Sequence, residues 1–340
     1  MENKVALCPN CGEQLSPNGS HNGIKEYKCK NINCSKKYVY KPIWKEYKNE
    51  KSELIIDKKQ SEFDFKEWTK LIMQKQELHE KAGNSQKSVN PIIKTKLDNI
   101  IVLFLSDLHL GSLGTDYKTF LEFTDFILKP NVYVILVGDM ADNFVNFKNK
   151  LAMHQQVISP REQDMFIEAW IKEIAHKVLG AFWGNHEEFE EKVSGKNTIK
   201  NILAHYVPYV NGIGKINLQI NNQKYGIVAT HKTRFFSNLN TLHGLKRLAQ
   251  MDIPNEDIYV AGDRHVPGLE IAFQRGLDQV YIQLGTLKID DAYTHRYFSH
   301  VTNATMPCVV LNTQEHSVIP FWKIGNAIKY CNALEVSKTA

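Results

Sequence analysis

Ile100-Ile-Val-Leu-Phe-Leu-Ser-Asp107-Leu-His109-Leu-Gly111 is the stretch of sequence that decides the fold. Its six apolar residues, Ile100 to Leu105, are rich in β-branched types and far shorter than a membrane span, which predicts a strand buried on both faces. Asp107 and His109 follow at the carboxyl end of that strand, where ligands bind in open α/β sheets. An Asp-x-His pair offers one oxygen and one nitrogen donor to a single cation. Taken alone, however, the pair is equally compatible with an ordinary polar loop.

Four later segments repeat this arrangement of an apolar strand followed by metal-competent side chains. A helix predicted from Tyr117 to Leu128 and a second helix, opened by a capping box at Ser159, separate the first three strands, which indicates parallel β-α-β units. The repeats are Val132–Val137 before Asp139 and Asp142, residues 177–182 before Asn185 and His186, residues 225–230 before His231, and residues 258–261 before Asp263 and His265. Five such strand ends predict one site built from side chains distant in sequence.

These five ordered motifs resemble those of the calcineurin-like metallophosphoesterases, and the similarity extends over roughly residues 99–330. The resemblance implies an α/β fold (α+β), a four-layer αββα sandwich of two mixed sheets, with two divalent metal ions at the sheet ends. It also implies that His186 does not ligate the metal ions but protonates the leaving group, and that Asp142 orients or polarises His186. The implied ligands are Asp107, His109, Asp139 and His265 for one ion, and the shared Asp139 with Asn185, His231 and Asp263 for the other.

The chain departs from the family pattern at Asp263, where a His is usual. A carboxylate there would favour harder ions such as Mn²⁺, with Fe, Zn and Ni as alternatives, or it would leave the second site weak. Two ions about 3.5–4 Å apart lower the pKa of a bridging water and clamp the phosphate oxygens, so a shared hydroxide could attack phosphorus. Arg234 and Arg264 are candidate phosphate contacts, the alternative being surface charge or structural ion pairs.

Four cysteines near the amino terminus predict a structural zinc site. Cys8-x-x-Cys11 and Cys29-x₄-Cys34 have the spacing of two knuckles that converge on one tetrahedral ion, the alternatives being a disulfide pair or unconnected thiols. The segment resembles the zinc ribbons of transposase-like proteins, and its second knuckle resembles that of small phage transcription activators. Lysines interleave here with Tyr27, Tyr38, Tyr40 and Trp44, as in surfaces that bind phosphates and stack bases. We therefore expect nucleic acid as a partner, although some ribbons bind protein or only support a fold.

Three domains are predicted: a zinc ribbon (1–44), a charged, partly helical linker (45–98) and the metallophosphoesterase domain (99–335). Within the linker, a helix is expected from Phe65 to Lys81 and a flexible polar stretch from Gly83 to Ser88. The apolar stripe of that helix leaves open the alternative of an arm packed on the catalytic domain.

Composition excludes several classes of protein. The 340 residues are 43% hydrophobic and 23% charged, as expected of a folded globular chain, and no apolar run reaches membrane-spanning length. Residues 1–60 hold twelve lysines against seven acidic residues, which accounts for the whole net charge of +5. The amino terminus lacks a signal-peptide core, so we expect a cytoplasmic location and no membrane partner. The oligomeric state is left open.

The sequence therefore predicts a phosphodiesterase or nuclease acting on DNA. The main alternative is a phosphomonoesterase acting on phosphoprotein or a small metabolite, because Gly184-Asn-His-Glu187 also occurs in serine/threonine protein phosphatases. Against that alternative, those enzymes tend to carry Asp-Arg-Gly where this chain has Asp142-Asn-Phe144. A third hypothesis is a DNA-binding scaffold with a decayed site.

Overall fold

The computed structural model describes residues 4–46, 64–81, 87–143, 154–235, 237, 239–289 and 304–339. The chain forms two compact units, Met1–Leu71 and Ile72–Ala340. None of the helices in these ranges has the length and hydropathy needed to cross a bilayer.

The amino-terminal unit contains five short strands in two small antiparallel sheets. One sheet pairs β1 with β5, and the other has the order β2-β3-β4. Among the described residues of this unit, the buried cluster consists of Ala6, Leu15 and Val39 together with Cys8, Cys29 and Cys34. A core this small rarely stabilises a fold without a further constraint. The strands are β1 (Lys4–Leu7), β2 (Leu15–His21), β3 (Ile24–Cys29), β4 (Tyr38–Val39) and β5 (Ile43–Glu46).

The first large sheet of the second unit has six strands in the order β11-β10-β9-β8-β17-β18. The four strands from β8 to β11 are parallel, and β17 and β18 are antiparallel to their neighbours. Ile100 to Leu105 are at most 1% exposed, as the apolar run predicts. The strands are β8 (Asn99–Leu105), β9 (Val132–Val137), β10 (Val178–Phe182), β11 (Tyr209–Val210), β17 (Cys308–Asn312) and β18 (Val318–Phe321).

The second large sheet has seven strands in the order β15-β16-β14-β13-β12-β6, with β7 also on β12. Its central strands β13, β14 and β16 are parallel, whereas β12 is antiparallel to β13 and β15 is antiparallel to β16. The two sheets pack closely, because a Cβ on Gly180 of the first would lie 2.7 Å from Ile216 Cδ1 of the second. The strands are β6 (Ser88–Val89), β7 (Ile92–Ile93), β12 (Gly214–Ile220), β13 (Gln223–Thr230), β14 (Ile258–Ala261), β15 (Gly268–Gln274) and β16 (Leu277–Gln283).

Helices complete the core of the second unit. The predicted capping box is confirmed, since the Ser159 side chain and Glu162 bond reciprocally ahead of Pro160. Leu245 packs with Tyr259 and Tyr281 on one face of the second sheet, in a cluster separate from the main core. The helices are α1 (Phe65–Lys81), which spans the limit between the two units and contributes no buried core residue among those described, and in the second unit α2 (Tyr117–Ile127), α3 (Pro160–Ile174), α4 (Glu187–Ser194), α5 (Thr198–Tyr206), α6 (His243–Arg247) and α7 (Ile324–Thr339). The predicted fold class, two mixed sheets with helices, is confirmed.

One segment differs from its predicted description. Ser88–Val89 and Ile92–Ile93, expected in a linker, form β6 and β7 and pair in parallel with β12. Of the predicted flexible stretch, residues 83–86 lie outside the described part of the chain. The other domain limits stay predictions.

Candidate metal centre

The side chains selected from the sequence follow the carboxyl ends of five strands, three in the first large sheet and two in the second. They are Asp107 and His109 after β8, Asp139 after β9, Asn185 and His186 after β10, His231 after β13, and Asp263 and His265 after β14. Since the strand ends of both sheets meet at one edge, residues up to 158 positions apart come into contact.

Five of these residues adopt a left-handed backbone conformation that is unusual outside glycine. Their φ angles are 53° at Asp107, 47° at His109, 50° at Asp139, 69° at Asp263 and 57° at His265. Each costs about 1–3 kcal/mol and persists only where the surrounding structure enforces it. Here neighbouring loops bond to one another, with the Asp107 N–H donating to the Gly138 carbonyl at 3.1 Å and the His109 N–H to the Asp139 carbonyl at 3.1 Å.

The first group of potential metal ligands consists of Asp107, His109 and His265. His265 Nε2 lies 3.1 Å from Asp107 Oδ1 and 3.2 Å from His109 Nε2. Asp107 is fully buried and His109 is 1% exposed. One oxygen and two nitrogens therefore converge on a single point.

Asp139 is central to the rest of the site, because it belongs to two further groups, one with His109 and His186 and one with Asp107 and His231. Its Oδ2 lies 3.2 Å from His231 Nε2 and 3.9 Å from His186 Nε2. Asn185 adds an amide oxygen, since its Oδ1 is 3.1 Å from His231 Nε2. One carboxylate thus lies within reach of two neighbouring sets of ligands.

Backbone carbonyls fix the orientation of two imidazoles. His231 Nδ1 is 2.8 Å from the Val137 carbonyl, and His186 Nδ1 is 2.6 Å from the Asp142 carbonyl. Because a carbonyl only accepts, each Nδ1 carries the proton and donates, which leaves Nε2 of each ring facing the carboxylates.

Charge pairing dominates the protonation of the site. Burial alone would raise the pKa of Asp139, but His231 and His186 outweigh burial and hold it well below the usual value. Burial would likewise lower the pKa of His231, but Asp139 and Asp107 raise it well above the usual value. His109 behaves differently, because burial and the neighbouring His186 lower its pKa to about 4.

These residues fit divalent metal ions. Asp107 and Asp139 are 0% and 2% exposed, and buried carboxylates require compensating positive charge. The oxygen and nitrogen donors of each group lie within 4.8 Å of one another. Such a mixed set suits manganese, iron, nickel or zinc. We conclude that this edge of the sheets is a metal-binding site.

Glu187 supports the site and was not assigned a role from the sequence. It is fully buried and accepts hydrogen bonds from the backbone N–H of Met140 (2.7 Å), Gly184 (2.7 Å) and Asp139 (3.2 Å). Burial and the nearby Asp139 raise its pKa to about 7. Glu187 therefore ties the loop after β9 to the loop after β10.

Lys288 is a second residue that sequence reasoning missed. It is 6% exposed, and its Nζ donates to Asp142 Oδ1 at 2.9 Å. The same Oδ1 lies 3.2 Å from His109 Nδ1. Lys288 thus supplies positive charge to the carboxylate that contacts His109.

Asp142, expected to orient or polarise His186, contacts two histidines through different atoms. Its carboxylate contacts His109 and Lys288, and it is the backbone carbonyl of Asp142 that orients His186. The left-handed φ of 43° at the next residue, Asn143, accompanies this arrangement.

Asp263, the expected ligand of the second ion, makes other contacts here, and its role as a ligand stays a prediction. None of the four groups of potential metal ligands among the described residues, three at this edge and one of cysteines, contains it. Its Oδ1 lies 3.4 Å from Lys232 Nζ, while its backbone N–H donates to Asp107 Oδ2 at 3.1 Å. A carboxylate is shorter than an imidazole, and here it faces the neighbouring ammonium.

The two candidate phosphate-binding arginines make other contacts. Arg264 Nη1 donates to the Ser237 carbonyl at 2.9 Å, and the Arg234 guanidinium lies 5.4 Å from the centre of the Phe235 ring. Their role in phosphate binding stays a prediction.

The four amino-terminal cysteines converge as expected of a tetrahedral metal site. Cys8 Sγ lies 3.8 Å from Cys34 Sγ, and Cys11 Sγ lies 3.5 Å from Cys29 Sγ. A tetrahedral ion with metal–sulfur bonds of about 2.3 Å requires sulfur–sulfur separations of about 3.8 Å, whereas a disulfide requires about 2.05 Å. The Asn10 amide donates to Cys34 Sγ and lowers the pKa of that thiol to about 7, which favours the ligating thiolate.

Comparison with known proteins adds a family match. The family described as calcineurin-like phosphoesterase matches residues 100–296, more than half of the chain. No curated protein matches the chain.

Solved structures similar to this chain include three proteins of low sequence identity. A conserved uncharacterized protein of Streptococcus pneumoniae, described as a predicted phosphoesterase, has 15% identity and a TM-score of 0.33, covering 66% of this chain and 98% of its own. A metallophosphoesterase from Sphaerobacter thermophilus has 11% identity and a TM-score of 0.32, and the match covers 67% of this chain and 91% of that protein. Vps29 of Chaetomium thermophilum has 9% identity and a TM-score of 0.34, and the match covers 65% of this chain and 94% of that protein.

Replacement of Gly184 by alanine tests the packing of the site. A Cβ there would lie 2.0 Å from Asp139 Oδ1 and 2.3 Å from Asp139 N, so Gly184→Ala must displace Asp139. We expect fewer bound divalent ions per chain, counted by mass spectrometry of metals after equilibrium dialysis. Gly325→Ala is the matched control, because nothing lies within 4 Å of its Cβ position. Full metal content in Gly184→Ala would mean that Asp139 is not a ligand.

The pH dependence of stability tests the charge pairing in metal-free protein. The raised pKa of His231 and His265 contributes stability that is complete below about pH 6.5 and is lost as the pH rises through the folded-state value. His109 has a lowered pKa and therefore makes the stability depend on pH only between about pH 4 and pH 6.5. We therefore expect the Tm in a chelator to fall as the pH rises above about 6.5.

The control for this pH experiment is a pair of histidine variants. His231→Gln should flatten the decline, whereas His316→Gln, at a half-exposed side chain, should preserve it. A Tm that rises or stays level over this range in the unsubstituted protein would contradict the pairing.

Proposed function

The chain belongs to the calcineurin-like phosphoesterase family and is a metal-dependent phosphoric ester hydrolase, and from this premise we propose that it is a phosphodiesterase that cleaves DNA. Family members typically bind two divalent metal ions, and the proposal assigns both ions to the edge where the two sheets meet. Manganese is the proposed metal, with iron, zinc and nickel as alternatives.

The position of Asp139 carries the proposal. Its carboxylate is shared between two overlapping groups of potential ligands, as a residue that bridges two ions would be. We assign Asp107, His109 and His265 with Asp139 to one ion, and Asn185 and His231 with Asp139 to the other. Asp263 would join the second set only if its carboxylate left Lys232.

The residues of the site have separate proposed roles in phosphoester cleavage. Bound divalent ions supply positive charge to the phosphate oxygens and lower the pKa of water. His186 is the proposed general acid: its Nδ1–H donates to the Asp142 carbonyl, which leaves Nε2 directed at the site, and in the imidazolium form the Nε2–H would pass to the leaving oxygen and leave a neutral ring. The Asp142 carboxylate and Lys288 act on His109, so these two side chains position a proposed metal ligand, while the Asp142 backbone carbonyl positions the acid.

The amino-terminal unit supports DNA as the substrate class. We propose that Cys8, Cys11, Cys29 and Cys34 bind one structural zinc, which would stabilise a unit with so small a core. Tyr38, Tyr40, Ile43 and Trp44 are each about half exposed, and lysines surround them in the sequence. Exposed aromatic rings among positive charges suit base stacking and phosphate contact. A phage setting rests only on the resemblance of the Cys29–Cys34 knuckle.

Substitution of His186 tests its role as an acid. His186→Ala should retain both ions and lose about 10²- to 10⁴-fold in kcat, because proton delivery to the leaving group is removed. The measurement is turnover of a diester alongside metal content, with the exposed His205→Ala as control. An ion missing from His186→Ala would instead identify His186 as a ligand.

A panel of substrates tests DNA cleavage and the role of the amino-terminal unit. We expect the manganese-loaded protein to cleave linear duplex or single-stranded DNA and to leave a phosphopeptide unchanged. Removal of residues 1–46 should weaken cleavage of long DNA and flatten its salt dependence, but spare bis-p-nitrophenyl phosphate.

The panel distinguishes the alternatives. Cleavage of the phosphopeptide alone would favour a phosphomonoesterase and contradict the proposal. Equal loss of both activities on removal of residues 1–46 would mean that the unit is structural.

A further inference from the structure

A cleft of about 330 Å³ opens beside the metal centre, on the side of Asn185 and His231. Its walls come from the end of β10, from α4, from the turn before β12 and from the end of β13. The residues that matter here are Trp183, Asn185, Lys192, Ile213, His231 and Lys232. Any group bound in this Trp183 cleft would therefore be adjacent to a phosphate at the metals.

Trp183 is the main apolar surface of the cleft. Its indole Nε1 is buried and has no hydrogen-bond partner among the residues that the structure describes. No hydrogen bond in that part of the chain thus fixes the ring. Ile213, 38% exposed, provides a second apolar surface in the same cleft. A flat ring could lie against Trp183, since offset stacking is favourable between aromatic rings.

Two lysines border the same cleft. Lys192 Nζ pairs with Glu188 at 2.5 Å, and Lys232 Nζ pairs with Asp263 at 3.4 Å. The two lysine side chains are 65% and 67% exposed, and exposed ion pairs contribute little stability. Either ammonium can therefore turn to a phosphate at small cost.

The cleft continues past Trp183 into a second one of about 380 Å³. Trp183, Glu188 and Lys192 line both, and Lys200 lies further along the second. An indole beside Lys192 and Lys232 suits a substrate with a ring and a phosphate in each repeating unit, whereas Glu188 and Glu191 balance the lysines of the second cleft. A phosphotyrosine side chain would supply one ring and no further phosphates.

We propose that the Trp183 cleft binds the base of the nucleotide next to the scissile phosphate, stacked on Trp183, with Lys192 and Lys232 close to the flanking phosphates. The inference rests on the proposed nucleic-acid phosphodiesterase function and adds the site that holds the substrate base. It makes Trp183 a binding residue without a part in the chemical step.

Binding of two small probes to the full-length, manganese-loaded protein tests the inference. Thymidine 5′-monophosphate and 2-deoxyribose 5-phosphate both carry a phosphate on the 5-position of deoxyribose, but only the first carries a base. By isothermal titration calorimetry we expect the nucleotide to bind about 5- to 150-fold more tightly, the range expected for stacking of one base. Trp183→Ala should abolish the difference while leaving the Kd of the sugar phosphate unchanged.

Two further variants separate stacking from damage to the fold. Trp183→Phe should retain most of the preference for the nucleotide, because a smaller ring still stacks. Trp322→Ala, at an exposed indole elsewhere in the same unit, should retain all of it. Equal binding of the two probes by the unsubstituted protein would overturn the inference, as would equal weakening of both by Trp183→Ala. Tighter, Trp183-dependent binding of phosphotyrosine than of the nucleotide would overturn it in favour of a peptide.

Failure of the proposed function would be visible separately. Release of inorganic phosphate from thymidine 5′-monophosphate, without cleavage of any DNA, would contradict the phosphodiesterase proposal. A Trp183-dependent preference for the nucleotide would still identify the base-binding cleft in that case.

Discussion

The constraint on which the site depends is the burial of two carboxylates, Asp107 and Asp139, at the edge of the two sheets. Neither is more than 2% exposed, so their charge must be met from within the protein or by bound cations. His231 and His265 supply part of that charge, and their raised pKa values measure how strongly the carboxylates act on them. Metal ions would take over this role and release the protons, because ligation requires neutral imidazoles.

The fold makes this concentration of charge possible because the charged side chains come from several loops. Parallel strands from two sheets end at one edge, so each loop contributes only one or two ligands. The left-handed residues are held by hydrogen bonds between loops and by Glu187, which binds three backbone N–H groups. Beneath them the strands are almost fully buried, and that apolar core supplies the stability that a strained polar edge lacks.

Much of this arrangement could be predicted from sequence, because long apolar runs and the residues that follow them are local signals. Asp107, Asp139 and His231 are examples, each placed directly after a strand of at least six residues. Contacts between distant residues carry no such signal: Lys288 meets Asp142 across 146 positions, and the lysine has no motif around it. The atom through which Asp142 contacts His186 could not be predicted for a related reason, since sequence does not distinguish a carboxylate from a backbone carbonyl as the partner of an imidazole. Strands β6 and β7, of two residues each, are too short to show a period.

The most direct test of the account is the number and position of metal ions around Asp139. Anomalous scattering from crystals of the manganese-loaded protein should give two peaks, both within bonding distance of the Asp139 carboxylate, with Asp107, His109 and His265 around one and His231 and Asn185 around the other. A single peak, or two peaks that do not share Asp139, would contradict the account.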